Sequence, residues 1–368
     1  MCIRDSLRTA PHLVAPLKFL LPIYSWQERK AWFVHAGLTL YDLLSFGDGL
    51  PASGRVSAAE TAHLPRLRQE DLRAVLHYHD CQTDDARLTL SVLLDARSRG
   101  ADILNRRTVT AIAAAEDGYT VELDERGTKR QITARFIVNA AGPFVPNIDA
   151  MTEAAPPPQA LRLVRGSHIV LRMPDPPEPC AYTLQDQGER IVFVIPWLDG
   201  RFLIVGTTDV PHEGDPGTAE CSPDEKSYLV HAYNRYFTTP GRTVTERDIV
   251  FTWSGVRALH GGTETKPSRI SRSPTLVACA QGSGGFLTIY GGKLTTHRAL
   301  AEDVLANLET LGLSMSGSWT KNVPLYGGKL DRAALEAKAE AGPDSVPAAT
   351  RHRWAFTYGD RIEDLFAR

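Results

Sequence analysis

Apolar and polar positions divide the chain into blocks of different period. From Ala86 to Arg99, Leu88, Val92 and Leu93 recur on one side of a predicted helix. Thr83, Asp84 and Asp85 in front of them are capping residues suited to the positive end of a helix dipole. Tyr119 to Leu123 alternates with period two, Asp124 to Gly127 reads as a turn, and Ile132 to Ala140 leads into a continuous apolar run. A short apolar strand ending in Ala140-Ala141-Gly142-Pro143 predicts a buried strand whose tip lets another group approach the backbone closely. From about residue 160 to 250 the pattern is one of long strands with tight turns. Ile191 to Ile195 and Phe202 to Val205 flank Asp199-Gly200, a hairpin signal because both turn residues tolerate positive φ. This block predicts an antiparallel sheet. Strands follow around Phe251 to Trp253 and Phe286 to Tyr290, and then a helix with Leu300, Val304, Leu308 and Leu311 on one face. The first 80 residues are Pro-punctuated and predicted mostly helical. Leu13 to Tyr24, broken by Pro16, Lys18 and Pro22, reads as a buried loop-and-helix segment in preference to one lying on a membrane surface.

Composition narrows the class. At 368 residues the chain exceeds what one hydrophobic core usually serves, so two domains are expected. Hydrophobic residues at 43% and charged residues at 23% exclude a largely disordered chain. With 41 Lys+Arg against 43 Asp+Glu, the net charge of −2 argues against nucleic-acid binding through bulk positive charge. Five scattered cysteines without a CxxC pair predict a reducing compartment, no disulfide framework and no zinc site. No stretch approaches the roughly 18 uninterrupted apolar residues of a spanning helix. No secretory signal, repeat, metal-ligand spacing or GxSxG elbow is present.

Four segments carry candidate chemistry. Phe286 to Thr296 joins a buried strand, the pair Gly291-Gly292, Lys293, and Thr at a helix start. Backbone N–H groups and a dipole end there favour an anionic or strongly accepting ligand group; the plain alternative is a glycine turn with a routine cap. A P-loop is rejected, because Leu294 follows Lys293 and Leu287 stands where the first Gly belongs. Ser254-Gly255-Val256-Arg257 places an Arg after a Gly bend, where its fork would hold a phosphate or carboxylate, unless it is a surface salt-bridge partner. Arg272 is a weaker candidate of the same kind. Arg165-Gly166-Ser167-His168 offers an imidazole to a substrate cavity for proton exchange, or else a structural histidine. Gly206-Thr207-Thr208-Asp209 is expected to be a turn with local backbone bonds rather than a polar wall.

Together with Asp84-Asp85-Ala86-Arg87-Leu88, Asn139-Ala140-Ala141-Gly142-Pro143 and Val194-Ile195-Pro196-Trp197, these segments resemble, in order and spacing, the FAD-dependent, quinone-linked glycerol-3-phosphate dehydrogenases. The resemblance runs from about Leu7 to the C-terminus. It implies an α/β (α+β) flavoprotein of the D-amino-acid-oxidase type, with an incomplete FAD-binding domain interleaved with an antiparallel-sheet substrate domain. Residues 7–80 become a helical substrate-side segment, 81–155 and 251–315 parts of the FAD domain, 156–250 the antiparallel substrate domain, and 316–368 the start of a helical C-terminal region. The implied reaction oxidises sn-glycerol 3-phosphate to dihydroxyacetone phosphate and passes electrons to quinone, in the cytoplasm at a peripheral contact with the inner membrane.

In that reading Arg257, Arg272 and Lys293 bind the phosphorylated substrate, and Lys293 also stabilises charge on the reduced flavin. Gly292, Lys293 and the N–H groups of Leu294, Thr295 and Thr296 face the flavin's pyrimidine end. Ala141 and Gly142 pass close to the dinucleotide, Val109 gives a backbone contact to adenine, and His168 transfers the proton. His168, Arg257 and Lys293 are the implied catalytic set. The family's glycine-rich βαβ unit, GxGxxG, is absent, Met1 to Ser6 has no counterpart, and the helical C-terminal region is entered near residue 324. The chain is therefore expected to be an internal piece of such an enzyme, holding flavin poorly and exposing strand edges. An amine or amino-acid oxidase of the same fold, or an inactive fragment, are the competing readings.

Overall fold

The computed structural model describes residues 2–44, 50–62, 64, 66–172, 180–186, 190–198, 200–238, 243–261 and 273–367. In chain order, helix α1 (Cys2–Thr9) leads into strand β1 (Val14–Tyr24), and α2 (Ala31–Leu44), β2 (Gly54–Arg55) and α3 (Ala58–Ala62) follow before β3 (Leu72–Thr83). Next come α4 (Asp85–Ser98), the meander β4 (Thr108–Ala115), β5 (Gly118–Glu125) and β6 (Thr128–Ala134), then β7 (Phe136–Asn139) and the short α5 (Val145–Asp149). The long middle block holds β8 (Leu161–Arg172), β9 (Ala181–Gln185), β10 (Ile191–Trp197), β11 (Phe202–Gly206), β12 (Val210–Pro211) and α6 (Pro223–Tyr236). It is followed by β13 (Ile249–His260), β14 (Thr275–Gln281), β15 (Gly284–Tyr290) and α7 (His297–Thr310), and last by α8 (Arg332–Glu340), α9 (Ala348–Tyr358) and α10 (Ile362–Phe366).

Among the described residues the strands form three sheets. The largest has nine strands in the order β12-β8-β11-β10-β9-β1-β3-β2, with β13 also paired to β8. The second runs β14-β15-β7, with β7 parallel to β15, and the third is the antiparallel meander β4-β5-β6. The large sheet draws strands from both 14–83 and 161–260, and the parallel pair from 136–139 and 284–290, so the two bodies interleave along the chain.

Period two decides what each face of the large sheet does. On one face Ile169, Leu171, Val192, Val194, Leu203 and Val205 are buried under α6, which contributes Leu229, Val230, Tyr233 and Tyr236. On the opposite face Leu17, Phe19, His168, Val170, Ile195, Phe202, Ile204 and Trp253 line a cavity of about 730 Å³. A slip of one residue would exchange the two sets, so the apolar pattern of the buried face fixes which residues look into the cavity.

The expected helical character of residues 7–80 forms only in part, chiefly in α2 and α3, and two long strands take much of the rest. Val14–Tyr24 is an eleven-residue strand paired with β3 from Val14↔Thr83 to Tyr24↔Leu72. Its apolar run is long enough for either structure, and the partner that decides is some 60 residues away. Pro16 and Pro22 stand outside the two positions, Phe19 and Leu20, where β1 also pairs with β9, so that second ladder loses no donor. The hairpin read at residues 199–200 is β10–β11, with Trp197 opposite Phe202 and Gly200 at φ 77°; Asp199 lies outside the described residues. Asp84 caps α4, accepting from Arg87 N at 2.9 Å.

Candidate active site on the open face of the sheet

Gly255 makes no bend. It lies within β13 opposite Gly166 of β8, and the same register sets Trp253 opposite His168 and Arg257 opposite Val164. Cross-strand partners share a face. The imidazole of His168 stacks on the indole of Trp253, with centroids 4.8 Å apart and planes 7° from parallel. The Arg257 guanidinium lies over Gly166, where a Cβ would come within 2.6 Å of both Arg257 Nη2 and Thr207 Oγ1. Under the imidazole lies Gly206, where a Cβ would be 2.2 Å from His168 Cδ2. These two glycines keep the floor clear for the two candidate side chains.

Gly206-Thr207-Thr208-Asp209 keeps one local backbone bond, Thr207 Oγ1 to Thr208 O, but is chiefly a polar wall. Arg257 Nη1 donates to Asp209 Oδ1 at 2.6 Å and Nη2 to Thr207 Oγ1 at 3.1 Å. Thr208 faces the other way and donates to Glu225 Oε1 at 2.6 Å. Alternation along an extended segment thus ties one tetrapeptide to both sides of the sheet.

Behind the sheet one carboxylate gathers most of the polar groups. Glu225, 4% exposed, accepts from Ser167 Oγ at 2.8 Å and from the Ser222 backbone N–H at 3.0 Å, and pairs with Arg165 Nη2 at 2.9 Å. Ser167 and Ser254 Oγ atoms are 2.7 Å apart across β8 and β13. Burial alone would raise the Glu225 pKa, but hydrogen bonds from Thr208, Ser222 and Ser167 bring it down to about 2.

His168 is lowered to about 4, first by burial and then by the Arg257 charge, and its Nδ1 has no hydrogen-bond partner among the described residues. The imidazole is therefore neutral near pH 7 and able to accept a proton. The unfolded imidazole protonates near 6.5, so between pH 6.5 and 4 only the unfolded chain carries this proton. Stability is expected to fall as pH drops through that window, by up to about 3 kcal/mol. His168→Gln should flatten the decline in urea unfolding, leaving the part due to His12, which burial also lowers to about 4, and to His77 and His79, which burial lowers as well. Equal slopes in the two proteins would contradict a neutral imidazole.

The parallel strands supply a second rim. Val138 pairs with Leu287 and Asn139 with Thr288, so β7 and β15 end at the same edge of their sheet. Beyond them lie Ala141 and Gly142 (φ 57°) on one strand, and Gly291 (φ 76°), Gly292 (φ 102°) and Lys293 on the other. Asp149 binds the two tips together, accepting from Asn139 Nδ2 at 2.8 Å, Thr288 Oγ1 at 2.8 Å and Tyr290 OH at 2.9 Å. Leu294, Thr295 and Thr296 form a single 3₁₀ turn that Lys293 opens without a side-chain cap, and α7 follows. A Cβ on Gly291 would lie 3.8 Å from Ala258 O, the residue after Arg257. The loop bearing Lys293 therefore meets β13 beside Arg257. Val109 sits apart from these tips on β4, packed on the core of Ile112, Tyr119, Val121, Leu123 and Phe286. Arg272 lies outside the described residues.

Carboxyl ends of parallel strands with positive-φ glycines are where open α/β sheets bind nucleotide-like ligands. A Cβ at Gly142 would meet nothing within 4 Å, so the β7 tip is open to close backbone approach. Those features fit a bound flavin nucleotide. Glu225, Trp253 and Asp149 carry no site reading in the sequence, and Asp209 enters there only within a segment expected to be a turn. The Ser222–Glu225 spacing marks a capping box, and its second use, under β8, depends on long-range packing.

Comparison with known proteins finds relatives along most of the chain. Residues 2–298 match the family described as FAD dependent oxidoreductase (DAO). The chain is 36% identical over 361 residues to a glycerol-3-phosphate dehydrogenase of Pseudomonas aeruginosa, covering 97% of the chain and 68% of the relative. It is 35% identical to the aerobic glycerol-3-phosphate dehydrogenase of Escherichia coli (98% and 71%) and 33% identical to the D-erythritol 1-phosphate dehydrogenase of Brucella abortus (98% and 72%). The crystal structure of a Bacillus halodurans glycerol-3-phosphate dehydrogenase complexed with FAD superposes with a TM-score of 0.77 at 24% identity, covering 99% of this chain and 66% of that one. The chain thus spans about two thirds of the length of these proteins.

Proposed function

The chain belongs to the FAD dependent oxidoreductases of the DAO family, and from that membership and the site above we propose that it oxidises sn-glycerol 3-phosphate to dihydroxyacetone phosphate, with quinone as the final electron acceptor. The observation that carries this reading is the pairing of a fixed cation with a neutral base on one open face: Arg257 over Gly166, and His168 two residues along β8. A phosphate dianion needs a charge held in place, and a guanidinium fork recognises its oxygens. A secondary alcohol needs its hydroxyl proton removed, which neutral His168 can accept. Lys293, on the loop beside β13, is the second cation. Ala141, Gly142 and Gly292 to Thr296 would hold the flavin, with Val109 toward its adenine; when bound, the flavin supplies the two-electron acceptor.

Quinone is dissolved in membranes, and helix α2 supports contact with a bilayer surface. Ala31, Val34 and Leu38 pack it onto Leu21, Ile23, Ala74 and Leu76, yet on other sides of the helix Trp32 (70%), Phe33, Leu40 and Leu43 (68%) are exposed. Aromatic and aliphatic side chains next to the basic pair Arg29-Lys30 suit a headgroup boundary. Among the described residues no helix is long and apolar enough to cross a membrane.

The test is dye reduction by the chain supplied with excess FAD, with and without anionic phospholipid vesicles. Glycerol 3-phosphate is expected to be oxidised, and the protein to sediment with the vesicles. Reduction by D-erythritol 1-phosphate in preference would move the substrate to a longer polyol phosphate. Reduction by amino acids alone would overturn the reading.

A further inference from the structure

We propose that Asp209, with Thr207, is the positioning residue of the anion site: the two side chains hold the Arg257 fork in one orientation, which lets it receive the substrate phosphate. The inference rests on the reading of Arg257 as the phosphate-binding cation and adds to it the reason that a long, flexible side chain points where it does.

Arginine has many accessible rotamers, and a fork that must meet a phosphate in a fixed geometry binds weakly unless something else has ordered it. Here the ordering contacts come from a separate strand connection. Asp209 Oδ1 takes one N–H of Nη1 at 2.6 Å, and Thr207 Oγ1 takes one N–H of Nη2 at 3.1 Å. Thr207 spends its own proton on Thr208 O at 3.1 Å, so its lone pairs are left for the guanidinium. Among the described residues these contacts take two of the five N–H donors of Arg257 and leave three for a ligand. The Arg257–Asp209 pair is part-buried, with side chains 29% and 22% exposed, which sets it apart from a solvated surface bridge. Gly166 below removes the Cβ that would collide with both Arg257 Nη2 and Thr207 Oγ1. Finally, Thr208 between the two contacts is locked to buried Glu225, so the segment bearing Thr207 and Asp209 is anchored from behind.

The experiment is calorimetric titration of the FAD-supplied chain with sn-glycerol 3-phosphate and, separately, inorganic phosphate, together with steady-state kinetics. Asp209→Asn is expected to weaken both ligands about tenfold, and to raise KM while leaving kcat within about threefold, because the fork binds ground state and transition state alike. Asp209→Glu should recover part of the loss. Thr207→Val, which keeps the ion pair, should weaken binding by about threefold and tests the same seat should the Asp209 variants not fold. The deciding comparison is made on Arg257→Lys, which keeps the charge and loses the fork. There Asp209→Asn should have no further effect, since residues acting through one another are not additive. Wild-type affinity in Asp209→Asn, tighter binding than wild type, or losses that multiply in the double variant would each overturn the proposal. A wild type that binds phosphate and fails to oxidise glycerol 3-phosphate refutes the functional reading alone; one that binds neither ligand refutes both.

Discussion

Replacing Glu225 by Ala is expected to cost about 3–5 kcal/mol of folding stability and to abolish substrate binding with it. The carboxylate is 4% exposed and serves four groups: Ser167 Oγ, Thr208 Oγ1, the Ser222 N–H and Arg165 Nη2. Its removal leaves Arg165 as a charge without its partner beneath the sheet, the situation in which broken buried pairs are most destabilising. Glu225→Gln keeps the shape and one acceptor oxygen, and should lose less. The pH dependence has a definite sign. With a folded pKa of about 2 against an ordinary value of 4.5, the contribution is complete above pH 4.5. It is lost as pH falls toward 2, amounting to about 3 kcal/mol. Urea unfolding followed by tryptophan fluorescence between pH 7 and 3 measures both effects. A Glu225→Ala protein within 1 kcal/mol of wild type would mean that the buried network is not what holds β8, the Thr207–Asp209 segment and α6 in place.

The local half of this architecture was legible in the sequence. Capping at Asp84, the β10–β11 hairpin and the Gly-rich exit from β15 depend on neighbours within a few residues, and all three formed where their residues stand. The pairing of Arg165-Gly166-Ser167-His168 with Ser254-Gly255-Val256-Arg257 was not legible, because it joins segments almost ninety residues apart. Without it, Gly255 looks like a bend and the threonines before Asp209 look like a turn. With it, both serines fall behind the sheet and both functional side chains in front. β1 was misread for the same reason: an apolar segment containing two prolines becomes a strand only because β3 supplies a partner along its whole length. The motif resemblance points to His168, Arg257 and Lys293 without any of this, yet does not tell which groups seat them.

Asp149→Ala is expected to separate the two strand tips that would cradle the cofactor. Asp149 is 7% exposed, and its three side-chain donors, Asn139, Thr288 and Tyr290, are 3%, 0% and 1% exposed, so water cannot take its place without opening the sheet. Each buried donor left without an acceptor costs roughly 1–3 kcal/mol, and partial rearrangement keeps the total near 3–5 kcal/mol. Asn139 retains Val145 O at 3.0 Å, so the larger losses fall on Thr288 and Tyr290, both on β15. Asp149→Asn presents one acceptor oxygen where there were two and should cost about half as much. Because Ala141-Gly142 and Gly291-Gly292 leave the sheet within a few residues of these bonds, flavin affinity should fall with stability, while Glu225→Gln should alter stability with a smaller effect on flavin. Titration of FAD fluorescence quenching alongside urea unfolding separates the two sites. Undiminished flavin affinity in a destabilised Asp149→Ala protein would show that the tips hold their spacing through the parallel ladder alone, and that the cofactor contacts lie elsewhere.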